Sequence, residues 1–193
     1  MKRDIEPRLS GEKLKITEFG NGILRTVARS ASKDEVSGEG IKRLIRDMRY
    51  TLSTLKLGVG LAAPQVGQGL ALAVIDIKPT KLRPNVETFD LVLINPQITE
   101  TVGRKKQLRE GCMSGGSGRV GLFAKVPRYN KVKVKYMDEK GKTHHQSFQG
   151  LPAHVIQHEI DHLMGILFVD RVKDTKTFMT YNEYMKLKPR SGK

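Results

Sequence analysis

The chain carries a single cysteine, Cys112, and no tryptophan in 193 residues. One cysteine excludes a disulfide within the chain and fits a reducing compartment. No apolar run approaches the roughly 20 residues that a membrane-spanning helix needs. The opening Met1-Lys2-Arg3-Asp4-Ile5-Glu6 has no apolar segment of the kind a secretion signal requires, and its acidic residues argue against an organelle transit peptide. The expectation is a cytoplasmic protein with no membrane partner. Internal repeats and low-complexity blocks are missing as well. The Gly- and Ala-rich residues 58–67 are not followed by the Gly-Lys-Ser/Thr ending of a phosphate loop. Acidic residues are the minority, 20 against 35 Lys and Arg, for a formal charge of +15. Such an excess favours an anionic partner surface: nucleic acid, ribosome or acidic lipid.

Against this background one stretch stands out, Gln157-His158-Glu159-Ile160-Asp161-His162. Two histidines four residues apart lie one above the other on a helix. Both imidazoles can then reach one metal ion, and the glutamate after the first sits where a coordinated water would be. This is the HExxH arrangement of metal ligation with a general base. Ala153, Val155, Ile156, Ile160, Leu163 and Met164 give the stretch the apolar positions of a helix, which begins near Leu151-Pro152 and ends or bends at Gly165.

The length suits one domain spanning residues 1–193, with a loose segment over 1–12 and a basic tail over 173–193. Ile41, Leu44, Ile45, Met48, Leu52 and Leu55 recur at helical spacing and predict a helix over residues 39–57. Residues 70–77 and 91–94 read as strands, the second stopped by Asn95-Pro96, with an extended basic segment over 98–108. Val132, Val134 and Tyr136 alternate with Lys131, Lys133 and Lys135, a strand with a cationic outer face. Asp138 to Gly141 turns it into a partner strand over 142–148. The fold class is therefore α+β: mostly antiparallel strands packed around a central helix carrying HExxH, with a second helix near the N-terminus.

A catalytic metal held by two histidines needs a third protein ligand. A third histidine in the pattern HExxHxxGxxH fails, because Phe168 stands at that position. Glu183, on a later helix, and Cys112, upstream, both remain open on spacing.

Three blocks then carry a resemblance. Gly58-Val59-Gly60-Leu61-Ala62-Ala63-Pro64-Gln65 resembles GxGxAAxQ, Glu110-Gly111-Cys112-Met113-Ser114 resembles EGCxS, and His158-Glu159-Ile160-Asp161-His162 resembles HExDH. In this order and at these separations the blocks are similar to those of the peptide deformylase family, over about residues 22–170. The resemblance implies a hydrolase that removes the formyl group from formyl-methionine at the start of nascent polypeptides and releases formate. It assigns Cys112, His158 and His162 to one divalent metal ion, iron(II) in the cell, with zinc, nickel or cobalt as alternatives. It assigns Glu159 as general base and acid, and the Gln65 amide and Met113 N–H as oxyanion donors. Val59, Gly60 and Gly111 would pair with the peptide backbone, and Leu108, Leu151, His154 and Val155 would line the methionine pocket. A monomer is expected, approaching the ribosome through its basic surface and tail. Asp161 is expected to pair with an arginine, Arg128, and lock the helix.

The resemblance breaks after Ser114. A long glycine-rich stretch, residues 115–125, precedes Val126-Pro127-Arg128 and predicts an altered preference for the peptide beyond methionine. Two rivals stand beside this reading: a metallopeptidase using Glu183, and a basic protein that binds RNA without catalysis.

Overall fold

The computed structural model describes residues 10–80, 83–116 and 120–187. A short helix α1, Lys33–Ser37, starts at a capping box in which Ser32 and Glu35 bond each other's backbone. Helix α2, Glu39–Ser53, buries Ile41, Ile45, Met48 and Leu52, the stripe that its periodicity gives away. It ends four residues before the expected limit. The Thr54 hydroxyl takes the Thr51 carbonyl and the Ser53 hydroxyl takes the Tyr50 carbonyl, which offers the last turn local partners outside a continued helix. At the opposite end of the chain's first segment, the Glu12 N–H bonds Asp47 at 2.9 Å, so Gly11 and Glu12 lie along α2. Residues 1–9 of that expected loose segment lie outside the described residues.

Six strands form one sheet in which every named pairing is antiparallel. Strands β1 (Gly60–Ala62), β2 (Leu72–Ile77), β3 (Phe89–Gly111), β4 (Leu122–Met137) and β5 (Thr143–Gln149) follow in spatial order, and the short β6 (Met179–Thr180) pairs with β4. Strand β2 is apolar but for Asp76 because both of its faces are covered. Leu72 and Val74 face the α2 side, while Ile75 and Ile77 face helix α3, Leu151–Leu163. That second core closes on Ala153, Val155, Ile156 and Ile160 of α3 together with Val132, Val134 and Tyr136 of β4.

Asn95-Pro96 does not end a strand, contrary to expectation. β3 runs on through it as one strand of 23 residues with register shifts on β4. Asn95 takes φ 51°, a conformation asparagine tolerates, and its side chain bonds both the N–H and C=O of Ala31. Proline, with no N–H to offer a ladder, fits at such a bulge. The extended segment expected over 98–108 is thus the continuation of the same strand. It delivers Glu110-Gly111-Cys112 to the end of β3, beside α3.

Helix α3 is buried on nearly every side. Pro152 sits in its first turn, and Gly165, at φ 72°, follows its end. Gln157 clips it to β4 by bonding the Tyr129 N–H at 3.1 Å and the Tyr129 carbonyl at 2.8 Å.

Candidate active site

Cys112 follows β3 directly, and His158 and His162 project from one face of α3. Their ligand atoms all lie within 4.8 Å of one another. The Cys112 sulfur is 3.2 Å from His162 Nε2. Cys112 and His162 are almost wholly buried, and His158 meets the cleft. A thiolate and two imidazoles with one side open to a cleft is the donor set of a catalytic centre that keeps one position free. The three residues therefore fit a divalent cation of the zinc or iron(II) kind. Glu183 does not join them. It is exposed and paired with Lys186 at 2.6 Å on helix α4, Tyr181–Lys186.

Behind the ligands lies a buried chain of charges. His158 donates from Nδ1 to Glu110 Oε2 at 2.9 Å. Arg128, 4% exposed, donates to both Glu110 oxygens, from Nε at 2.6 Å and Nη2 at 3.0 Å. Its remaining Nη1 reaches Asp161 at 2.5 Å, and Arg171 donates to Asp161 from the other side. The expected Arg128–Asp161 pair is present, and it belongs to a larger device that fixes which His158 nitrogen faces Cys112 and His162. Glu110 was legible only as a letter of a motif; the role it takes here comes from β4 and α3 meeting at it. His154 also bonds Glu110, from Nε2 at 2.7 Å, while lining the cleft.

These contacts set the protonation states. Burial alone would raise the Glu110 carboxyl, but hydrogen bonds from His154, His158 and Arg128 outweigh it and hold it far below the usual carboxylate range. Burial pushes His162 well below an ordinary imidazole, and cationic neighbours add to this, so it stays a neutral donor. Burial works the same way on His158, yet its contacts with Cys112 and Glu110 raise it well above the ordinary value. Glu159 is pushed up to about 7, first by burial and further by the Glu110 charge, against the pull of His158 and Arg128. Its Oε2 is buried with no hydrogen-bond partner among the described residues.

Glu159 reaches the cleft only because β1 passes beside it as glycine. A Cβ on Gly60 would lie 2.3 Å from Glu159 Oε1. Gln65 sits in the short turn after β1. The Ala62 N–H holds its Oε1 at 2.9 Å, which turns Nε2 toward the Cys112 sulfur and the Ser114 hydroxyl, each at 3.3 Å. Met113 follows Cys112 and lines the cleft, as do Val59, Gly60, Gly111, Leu151, His154 and Val155. Leu108 does not line it; this residue of β3 lies opposite Val126, and Arg109 and Glu110 take the wall instead. Arg83, Phe123 and Tyr184 also line the cleft and were not foreseen. Tyr184 comes to the cleft by stacking on Phe123, with centroids 3.8 Å apart. Arg119 of the glycine-rich stretch lies outside the described residues.

Comparison with known proteins agrees with this geometry. Residues 13–178 match the family model described as polypeptide deformylase. A peptide deformylase of Aquifex aeolicus is 42% identical over 172 residues, covering 89% of this chain and 95% of that one. One from Leptospira biflexa is 40% identical over 171 residues, covering 88% and 92%. Among solved structures, a class I type b peptide deformylase from Acinetobacter baumannii bound to Met-Ala-Ser superposes with a TM-score of 0.78 at 33% identity, over 84% of this chain and all (100%) of that one. The enzyme from Synechococcus elongatus in complex with actinonin gives 0.74 at 37% identity, over 95% and 90%. The chain belongs to the polypeptide deformylase family, enzymes that remove the formyl group from N-formyl-methionine.

Proposed function

We propose that this chain hydrolyses the formyl amide of formyl-methionyl nascent polypeptides with Cys112, His158 and His162 holding one divalent cation, iron(II) in the cell. The observation that carries this is the convergence of one sulfur and two imidazoles within 4.8 Å, from β3 and α3. Bound there, the cation supplies Lewis-acid polarisation and a lowered pKa for water.

Glu159 accepts the proton of the attacking water and returns it to the leaving amine. A carboxyl held at about 7 is suited to both transfers near neutral pH. Gln65 Nε2, already fixed through its own oxygen, and the Met113 N–H donate to the oxyanion. Losing one such donor costs about 10²–10³ in rate. The peptide lies extended between Val59-Gly60 and Gly111, pairing as an added strand. Leu151, His154 and Val155 form the wall of the methionine pocket.

Formate release from a formyl-methionyl peptide by anaerobically prepared protein, with metal analysis of the same sample, tests the reading. Cys112→Ser is expected to lose both cation and activity, and Glu183→Ala to keep both. The reverse pattern would hand the site to the metallopeptidase rival.

The same reading makes the protein a cytoplasmic monomer that meets its substrate at the ribosome through its basic surface. No helix among the described residues is long and apolar enough to cross a membrane. Because Tyr184 reaches the cleft, a test of tail docking must remove only residues 188–193. Unchanged ribosome co-sedimentation after that truncation would sink the role of the tail.

A further inference from the structure

Above the metal ligands the rim of the cleft is cationic. Arg83, on the connection between β2 and β3, and Arg109, near the end of β3, both line it. The carboxylates that line the same cleft are Glu110 and Glu159. Glu110 is taken up by Arg128, His154 and His158, and Glu159 is buried at depth beside Gly60. Glu183, next in sequence to Tyr184 at the rim, is turned to Lys186. Neither arginine has an ion-pair partner among the described residues.

Both are held in ways that cost the free protein something. Arg83 Nε is buried without a hydrogen-bond partner among the described residues. Burial lowers the pKa of this guanidinium, with Tyr184 acting in the opposite sense. A buried donor left unpaired is unfavourable until an acceptor reaches it. Arg109 stands directly across the ladder from Lys125, also exposed. Like charges facing each other across a strand pair repel. An acceptor at the rim relieves either arrangement.

The occupant follows from the path of the substrate. With the formyl-methionine between β1 and Gly111, the rest of the peptide leaves over the rim. Its side chains at the second and third positions then pass Arg83, Arg109 and the flat wall made by Tyr184 on Phe123. We propose that Arg83 and Arg109 form a subsite for an acidic side chain just after the formyl-methionine, so that nascent chains beginning formyl-Met-Asp or formyl-Met-Glu, or carrying the acid one residue later, are preferred. Guanidinium and carboxylate match as a charge-assisted pair. This rests on the deformylase reading of the site.

The test uses metal-loaded protein and formyl-methionyl tripeptides amidated at the C-terminus, matched in pairs that differ only by Glu against Gln at the second or third position. The expected result is a preference of about 5-fold for the Glu peptide at one of these positions, in KM and not in kcat, shrinking as salt is added. In Arg83→Gln/Arg109→Gln the ratio of Glu to Gln turnover falls to about one; the ratio within one sample is insensitive to any loss of folded protein. Equal turnover of the pair by the parent overturns the inference and leaves the deformylase reading standing. So does a preference that ignores salt or survives the double variant. A preference seen only with free C-terminal acids reassigns the arginines to a terminal carboxylate and overturns the side-chain subsite. No formate from either peptide removes the deformylase reading, and the subsite with it.

Discussion

Glu110 and His158 are 2.9 Å apart, carboxylate oxygen to Nδ1, although they are 48 residues apart in sequence. The contact fixes the tautomer of an imidazole that we propose as a metal ligand, and Arg128 on the same carboxylate fixes the contact. Partners at this remove typically govern about 10- to 100-fold in metal affinity. Glu110→Gln is therefore expected to weaken cation binding by about that factor, with the three ligands still in place. Competition with a graded chelator measures it. Affinity equal to the parent would show that the Glu110 charge does not tune His158.

Arg128 joins two buried carboxylates, Glu110 and Asp161. Removing one partner of a buried ion pair costs about 3–5 kcal/mol, because the other charge stays behind in low dielectric. For a domain of this size each kcal/mol shifts Tm by about 2–4 °C. Arg128→Met should lower Tm by about 10 °C. In Asp161→Asn, Arg128 keeps both bonds to Glu110 and the other cation released, Arg171, is partly exposed, so this change is expected to cost less than Arg128→Met. Calorimetry on cation-free protein gives both values, and a Tm unchanged in Arg128→Met would count against the network.

Gly60→Ala tests how closely β1 must pass Glu159. The added Cβ would lie 2.3 Å from Oε1, so the carboxylate has to move. A displacement of about 1 Å from a reacting group can cost ~10² in rate. The variant should lose about that much kcat while keeping its cation, since the three atoms nearest the new methyl all belong to Glu159. Full activity in this variant would mean that the carboxylate works from another position.

Glu159 also carries a pH signature in the cation-free protein. Its ordinary value is 4.5, and the fold raises it to about 7. Between these values the folded chain keeps a proton that the unfolded chain has released. Stability from this group is present below the lower value and is lost as pH rises through the upper one. Glu159→Gln removes the loss. Without cation it should be more stable than the parent near pH 8, by about 3 kcal/mol at most, and equal near pH 4. Denaturant titrations at the two pH values check this, and formate release by the same variant should be abolished. A difference of opposite sign at high pH would show that the fold favours the charged carboxylate, with its pKa lowered and not raised.

Several features were legible because they depend on short-range rules. The stripe from Ile41 to Leu52 is helical by spacing, and Val132, Val134 and Tyr136 alternate with lysines as a half-covered strand must. HExxH reads as a ligand pair with its base because i and i+4 share a helix face. The third ligand could not be read that way. Cys112 and Glu183 both remain open on spacing, and the family resemblance decides between them without coordinates.

Tertiary structure alone made the remaining choices, because they depend on which distant surfaces meet. Asn95-Pro96 reads as a stop, yet its side chain finds Ala31, 64 residues away, and the strand continues. The resemblance puts His154 in a pocket wall, and only the approach of β3 to α3 sets it against Glu110. Arg83 and Tyr184 come from distant parts of the sequence to one rim. Periodicity fixes which side of an element is apolar; it carries no information about which partner covers that side, and charge networks form where the partners close.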